Sequence, residues 1–194
     1  MDIKYYFGVV ATLLTIVAYI PYCYSIIRGK TKPNIITWLV LFVIGAISFF
    51  SYKELGAVNT LGFALANLVG PLVVFLLACV KNGMHEQMQD LYFLLISLLA
   101  IILWIATGEA FIGLLFNLIA DLVGFVPTIV KAYKQPKSED LLTWAMFSLG
   151  GIMALMALER YTLELLLYPL YIVVAEGIVF LLLLKASLMN EIVK

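Results

Sequence analysis

Hydrophobic positions along the chain run together instead of alternating. Seven mostly apolar stretches, at 5–27, 34–52, 57–80, 91–107, 110–131, 140–158 and 163–186, are separated by short polar breaks. A helix crossing a bilayer needs about 20 such residues. The breaks carry helix-ending residues: Arg28-Gly29-Lys30 and Lys32-Pro33, Lys53-Glu54, Lys81-Asn82-Gly83, Thr107-Gly108-Glu109, Lys134-Gln135-Pro136-Lys137 and Glu159-Arg160. The pattern predicts an all-α membrane protein of seven transmembrane helices, joined by loops too short for a soluble domain. The first stretch is expected to stay as a helix rather than be cleaved as a signal peptide, because it is long and lacks a small-residue cleavage site.

Composition strengthens this picture. The chain of 194 residues is 64% hydrophobic and 12% charged, with a mean hydropathy of +1.09. Soluble domains are about half apolar and roughly a quarter charged, so the expected solvent is the lipid bilayer. Twelve Lys+Arg balance twelve Asp+Glu, and no basic stripe points to nucleic acid. Cys23 and Cys79 lie inside apolar runs, without the clustering of a disulfide framework or a metal site. No Ser/His/Asp set, phosphate loop or HExxH is present, so neither an enzyme nor a cofactor is expected. His85 is expected in a polar loop, with no partner ligands.

Charge placement then sets an orientation. With the N-terminus outside, the inner face collects Arg28, Lys30, Lys32, Lys81, Lys131, Lys134, Lys137, Lys185 and Lys194, and the outer face keeps Lys4, Lys53 and Arg160. The excess of Lys and Arg on one side predicts a multi-pass cell-membrane protein with its C-terminus in the cytoplasm.

Sliding the chain by 106 residues aligns Pro21 with Pro127, Thr37 with Thr143, Trp38 with Trp144 and Gly45 with Gly151, and sets Arg28 on Lys134. Each pair falls at an equivalent place in its span. The expected organisation is a first three-helix repeat (1–82), a linker helix (83–109) and a second three-helix repeat (110–194). A unit of three spans would invert on direct repetition. The added linker restores its direction and gives a 3+1+3 architecture of parallel repeats about an axis along the membrane normal, which places a solute site near the midplane between them.

The first unit reads Ala18-Tyr-Ile-Pro21-Tyr, a basic turn, then Asn34-Ile-Ile-Thr37-Trp38; the second reads Gly124-Phe-Val-Pro127-Thr, a basic turn, then Asp140-Leu-Leu-Thr143-Trp144. This resembles the SWEET/PQ-loop superfamily of small transporters, with Tyr22 and Thr128 where that family's glutamine would be. Gly45-x-x-x-Phe49-x-x-Tyr52 is similar to the glycine, tryptophan and tyrosine pattern of the bacterial half-size members. Ala66-Asn67-Leu-Val-Gly70 resembles the family's Asn-x-x-Gly, and Ala175-Glu176-Gly177 holds the matching depth in span seven with glutamate in place of asparagine. The resemblance implies two three-helix bundles, alternating access for a small polar solute, and a contact to that solute from Asn67.

The polar residues inside the spans are the candidates for chemistry. An ionisable group at mid-bilayer costs at least about 2.5–3.5 kcal/mol, so it calls for a reason. Asp121 and Glu176 lie near span centres, both in the second repeat, and Asn117, Asp121 and Thr128 share one face of span five. The expected solute-binding set is Asn67, Glu176, Asp121 and Asn117, with Glu176 as the carboxyl that would couple transport to protons. The blander alternatives are a neutral Glu176 bonded to a neighbour, an Asp121 satisfied by Asn117 and span-one hydroxyls, and an Asn67 that locks two helices. Gly62, Ala66 and Gly70 read as a packing strip. Pro21 and Pro127 read as hinges or plain kinks. Trp38 and Trp144 read as interface anchors or an inner gate. Pro71 and Pro169 do not match under the repeat. Lys185 lies too near the inner end to serve as a retinal-type lysine. A ligand-binding receptor and a structural membrane protein of the same fold are the competing functions. Two repeats complete a pathway within a monomer and also permit a homodimer.

Overall fold

The computed structural model describes residues 2–29, 35–82, 105–136 and 139–192, together with residues 95, 98, 99, 102 and 103. Lys30, Lys32, Pro33, Asn34, Gly83, His85, Lys137 and Lys194 lie outside the described residues, as do the side chains of Thr37, Gly124, Pro127 and Lys131. Six helices are bounded: α1 (Ile3–Ile27), α2 (Ile35–Glu54), α3 (Leu61–Asn82), α4 (Ala110–Lys134), α5 (Leu141–Ala157) and α6 (Leu163–Ile192). They correspond to spans one, two, three, five, six and seven. The described residues of 95–107 are helical as well.

Local chemistry sets the helix ends. Asp2 caps α1 by accepting from the Lys4 N–H at 3.3 Å, and Asp140 caps α5 by accepting from the Thr143 N–H at 2.7 Å. Gly56 stops α2. At φ 84 it takes the left-handed conformation while its own N–H bonds Lys53 O at 3.1 Å and the Ala57 N–H bonds Tyr52 O at 3.1 Å. Those two bonds form a Schellman closure, which satisfies carbonyls that the helix leaves open.

Four helical segments, Ile3–Ile27, Leu61–Lys81, Ala110–Lys134 and Leu163–Met189, are long and apolar enough to cross a membrane. At 17 residues, α5 is shorter than the expected span 140–158 and rises about 25 Å, against a hydrocarbon core of about 30 Å. Many outward residues stay open, among them Leu13 (54%), Leu76 (53%), Ile119 (49%) and Leu181 (61%). A belt of this kind is costly in water and natural against lipid.

The packing has a definite order. Helix α3 lies between α1 and α2, α6 lies between α4 and α5, and the two groups meet through α1 against α5 and α2 against α4. Each helix thus has two principal neighbours, and the six close a ring. Exchanging α1 with α4, α2 with α5 and α3 with α6 turns this pattern into itself.

The 106-residue register recurs at the level of atoms. A Cβ at Gly45 would lie 2.5 Å from the Asn67 carbonyl oxygen, and one at Gly151 would lie 3.2 Å from the Val173 nitrogen; both positions have moved on by the same 106 residues. Between the groups, Asn117 of α4 bonds Ile44 O of α2, while the equivalent Ala11 of α1 lies against Gly150 of α5. The expected packing strip behaves as read: Gly62 admits Thr12, Gly70 admits the Tyr19 ring and Ala66 is buried, so α1 and α3 approach closely.

The two ends of the ring differ. Toward the end that carries Lys4, one apolar cluster draws on all six helices, with Ala11, Tyr52, Phe63, Leu114, Ala154 and Leu165 among its members. Toward the end that carries Arg28 and Lys134, the cluster built on Ala132, Val179 and Leu183 uses α4, α5 and α6.

Candidate functional site

Polar side chains converge between these two apolar clusters. On α4, Asp121 is half-buried, and its Oδ2 accepts from the Tyr171 hydroxyl of α6 at 2.8 Å. Glu176, also on α6, lies within electrostatic reach of Asp121, and its Oε2 is buried without a hydrogen-bond partner among the described residues. Tyr19 of α1, with Tyr168 and Tyr171 of α6, lies within reach of both acids. Two carboxyls and three phenols from three helices therefore share one region, and no Lys or Arg occurs on the central turns of the described helices. Such a set offers many acceptors, a few hydroxyl donors and aromatic faces, suited to a polar molecule that brings its own donors.

The blander alternative gave Asp121 to Asn117 and the span-one hydroxyls, but among the described residues its hydrogen bond comes from Tyr171. Asn117 turns to α2 instead, donating from Nδ2 to Ile44 O at 3.0 Å and Ser48 Oγ at 2.8 Å, and Thr15 of span one donates back to Ala11 O at 3.0 Å. The reason is geometric. Asn117 lies on the α2 side of α4, where it ties the two three-helix groups together, and its Oδ1 is buried without a hydrogen-bond partner among the described residues.

Asn67 is half-buried, and its Nδ2 donates to Phe63 O of its own helix at 3.1 Å. Its 106-residue counterpart is Val173, so Glu176 stands opposite Gly70 in that register. Trp38 stacks on Tyr22 with ring centres 5.1 Å apart; Trp144 packs on Phe125 at 5.6 Å and donates from Nε1 to Glu139 Oε2 at 3.2 Å. Tyr19 meets Phe147 at 5.0 Å across the α1–α5 contact, so aromatic rings line the Arg28 end of the region. Helix α1 continues through the exposed Pro21, and the α4 backbone is helical through residue 127.

Tyr19, Tyr168, Tyr171 and Ser48 were not among the expected site residues. One sequence signal could have found the tyrosines: they sit inside spans rather than at the interfacial belt, and a buried phenol needs a partner. A groove of about 480 Å³ lies elsewhere, between α2 and residues 105–108, and shares no residue with the polar cluster. No family model, curated protein or solved structure matches the chain.

Proposed function

We propose that the chain is a membrane transporter of the SWEET/PQ-loop type, with a seven-span 3+1+3 architecture, moving a small polar solute by alternating access. The observation that carries this reading is the closed ring of two like three-helix groups with an acceptor-rich polar cluster between its two apolar ends. A symmetric pair of groups can rock about a fixed site, which is the geometry alternating access needs. The linker segment supports the seven-span count: Asn82 ends α3 at the Arg28 end, while Ile105 and Gly108 lie beside Phe50 and Glu54 at the Lys4 end.

Within this reading Asp121, Tyr171 and Glu176 bind the solute, and Glu176 couples its passage to protons. A carboxyl that keeps one buried oxygen unbonded is suited to accepting a proton from either side. Asn117 is assigned to holding α4 against α2, and Asn67 to the wall of the pathway. The test is purified protein screened by thermal unfolding against sugars, amino acids, nucleosides and vitamins at two pH values, followed by uptake into proteoliposomes. A bound solute raises the melting temperature with occupancy. Glu176→Gln is expected to abolish the pH dependence of uptake; uptake as fast as wild type with the same pH profile would refute the coupling role.

A further inference from the structure

At the Lys4 end of the ring, one side chain adds polar bonds between the two groups to the apolar contacts that they share there. Glu159 lies in the connection between α5 and α6. Its Oε1 accepts from the Val58 N–H at 3.0 Å and also from the Asn59 N–H, both in the α2–α3 connection of the other three-helix group. Lys4 of α1 donates from Nζ to the Glu159 carbonyl at 3.3 Å, and Asn59 Nδ2 donates to Ala157 O at 3.2 Å. Gly8 allows this convergence, since a Cβ there would lie 2.1 Å from the Asn59 carbonyl oxygen. Three chain segments thus meet at Glu159, two of them through its carboxylate and α1 through its backbone carbonyl.

Three features separate this contact from ordinary loop packing. The carboxylate bonds cross between the two groups, so they cannot survive any movement that parts the groups at this end. The groups they would release are backbone N–H donors and a carboxylate beside the exposed Val58 and Arg160, which water can satisfy as soon as they part. Finally, Glu159 Oε2 is buried without a hydrogen-bond partner among the described residues. That uncompensated oxygen lowers the net gain of closing, which a contact that must reopen in every cycle requires.

We infer that Glu159 is the latch of a gate at the Lys4 end, holding the two three-helix groups together through the Val58 and Asn59 amides when that end is closed. Its purpose rests on the alternating-access reading, but the latch can be measured without any solute. In the full chain with Cys23 and Cys79 replaced by serine, Thr60→Cys provides a reporter beside Asn59, where the native side chain is 0% exposed. The purified protein in detergent is treated with a bulky polar maleimide. Glu159→Ala is expected to speed labelling about tenfold through loss of the charge-assisted bonds, and Glu159→Gln, which keeps an acceptor oxygen, is expected to fall between. Val179→Cys, fully buried in the opposite cluster, serves as a second reporter and should stay unlabelled in both variants. Equal Thr60→Cys labelling with and without Glu159, or an equal rise at both reporters from general loosening, overturns the inference. Because labelling needs no solute, failure of the latch leaves the carrier reading standing, and an uptake failure leaves the labelling result intact.

Discussion

Adding one methyl group at each of two equivalent glycines tests the repeat as a packing relationship. Gly45 and Gly151 are separated by the 106-residue register, and each faces the third helix of its own group. At Gly45 the new Cβ would lie 2.5 Å from the Asn67 carbonyl oxygen and 2.9 Å from the Leu68 Cα, both backbone atoms that can yield only if α2 and α3 separate. At Gly151 the nearest atoms are the Val173 Cγ2 at 2.9 Å and the Ile172 Cγ2 at 3.1 Å, methyl groups that can shift by a few tenths of an ångström. Glycine to alanine inside a helix gains about 1 kcal/mol in propensity, while overpacking costs about 1–3 kcal/mol. Against backbone the upper half of that cost applies, so Gly45→Ala is expected to lose about 1–2 kcal/mol net. Gly151→Ala should fall within about 1 kcal/mol of wild type. At about 2–4 °C per kcal/mol for a chain of this size, Gly45→Ala lowers the Tm by about 2–8 °C. The assay is thermal unfolding of both purified variants in the same detergent. A neutral Gly45→Ala, or a larger loss at Gly151 than at Gly45, would refute the close approach of α2 to Asn67.

Two further measurements address the joints of the ring. A double-mutant cycle of Asn117→Ala with Ser48→Ala should give a coupling near the value typical of hydrogen bonds between membrane helices, about 0.6 kcal/mol and up to about 1.7; a coupling of zero means that the Asn117–Ser48 bond contributes nothing. Tyr52→Phe removes the hydroxyl that donates to the Leu165 carbonyl in the cluster shared by all six helices. It should cost about 1 kcal/mol in the same unfolding assay, and an unchanged Tm would show that the bond has no net worth.

The sequence by itself determined the class, an all-helical chain with helices long and apolar enough to cross a membrane. Long uninterrupted apolar runs cannot be hidden in a chain of 194 residues, so the long apolar helices with open outward faces followed from composition and spacing. One pair in the 106-residue register was legible because glycine marks places where a backbone must pass closely. Gly45 and Gly151 do occupy equivalent contacts. The acids were also legible, since Asp121 and Glu176 are too expensive in lipid to pass unnoticed. Partners were another matter. Position along a helix fixes depth and face but not which neighbouring helix that face meets; only the 1–3–2 order within the second group brought Tyr171 to Asp121, and only the meeting of α2 with α4 set Asn117 against Ser48. Glu159 shows the same limit more sharply: in the chain it is one charge in a short break, about 100 residues from the amides it bonds. Hydrophobic burial is non-directional and can be read along a chain, whereas hydrogen bonds between distant segments exist only once the ring has closed.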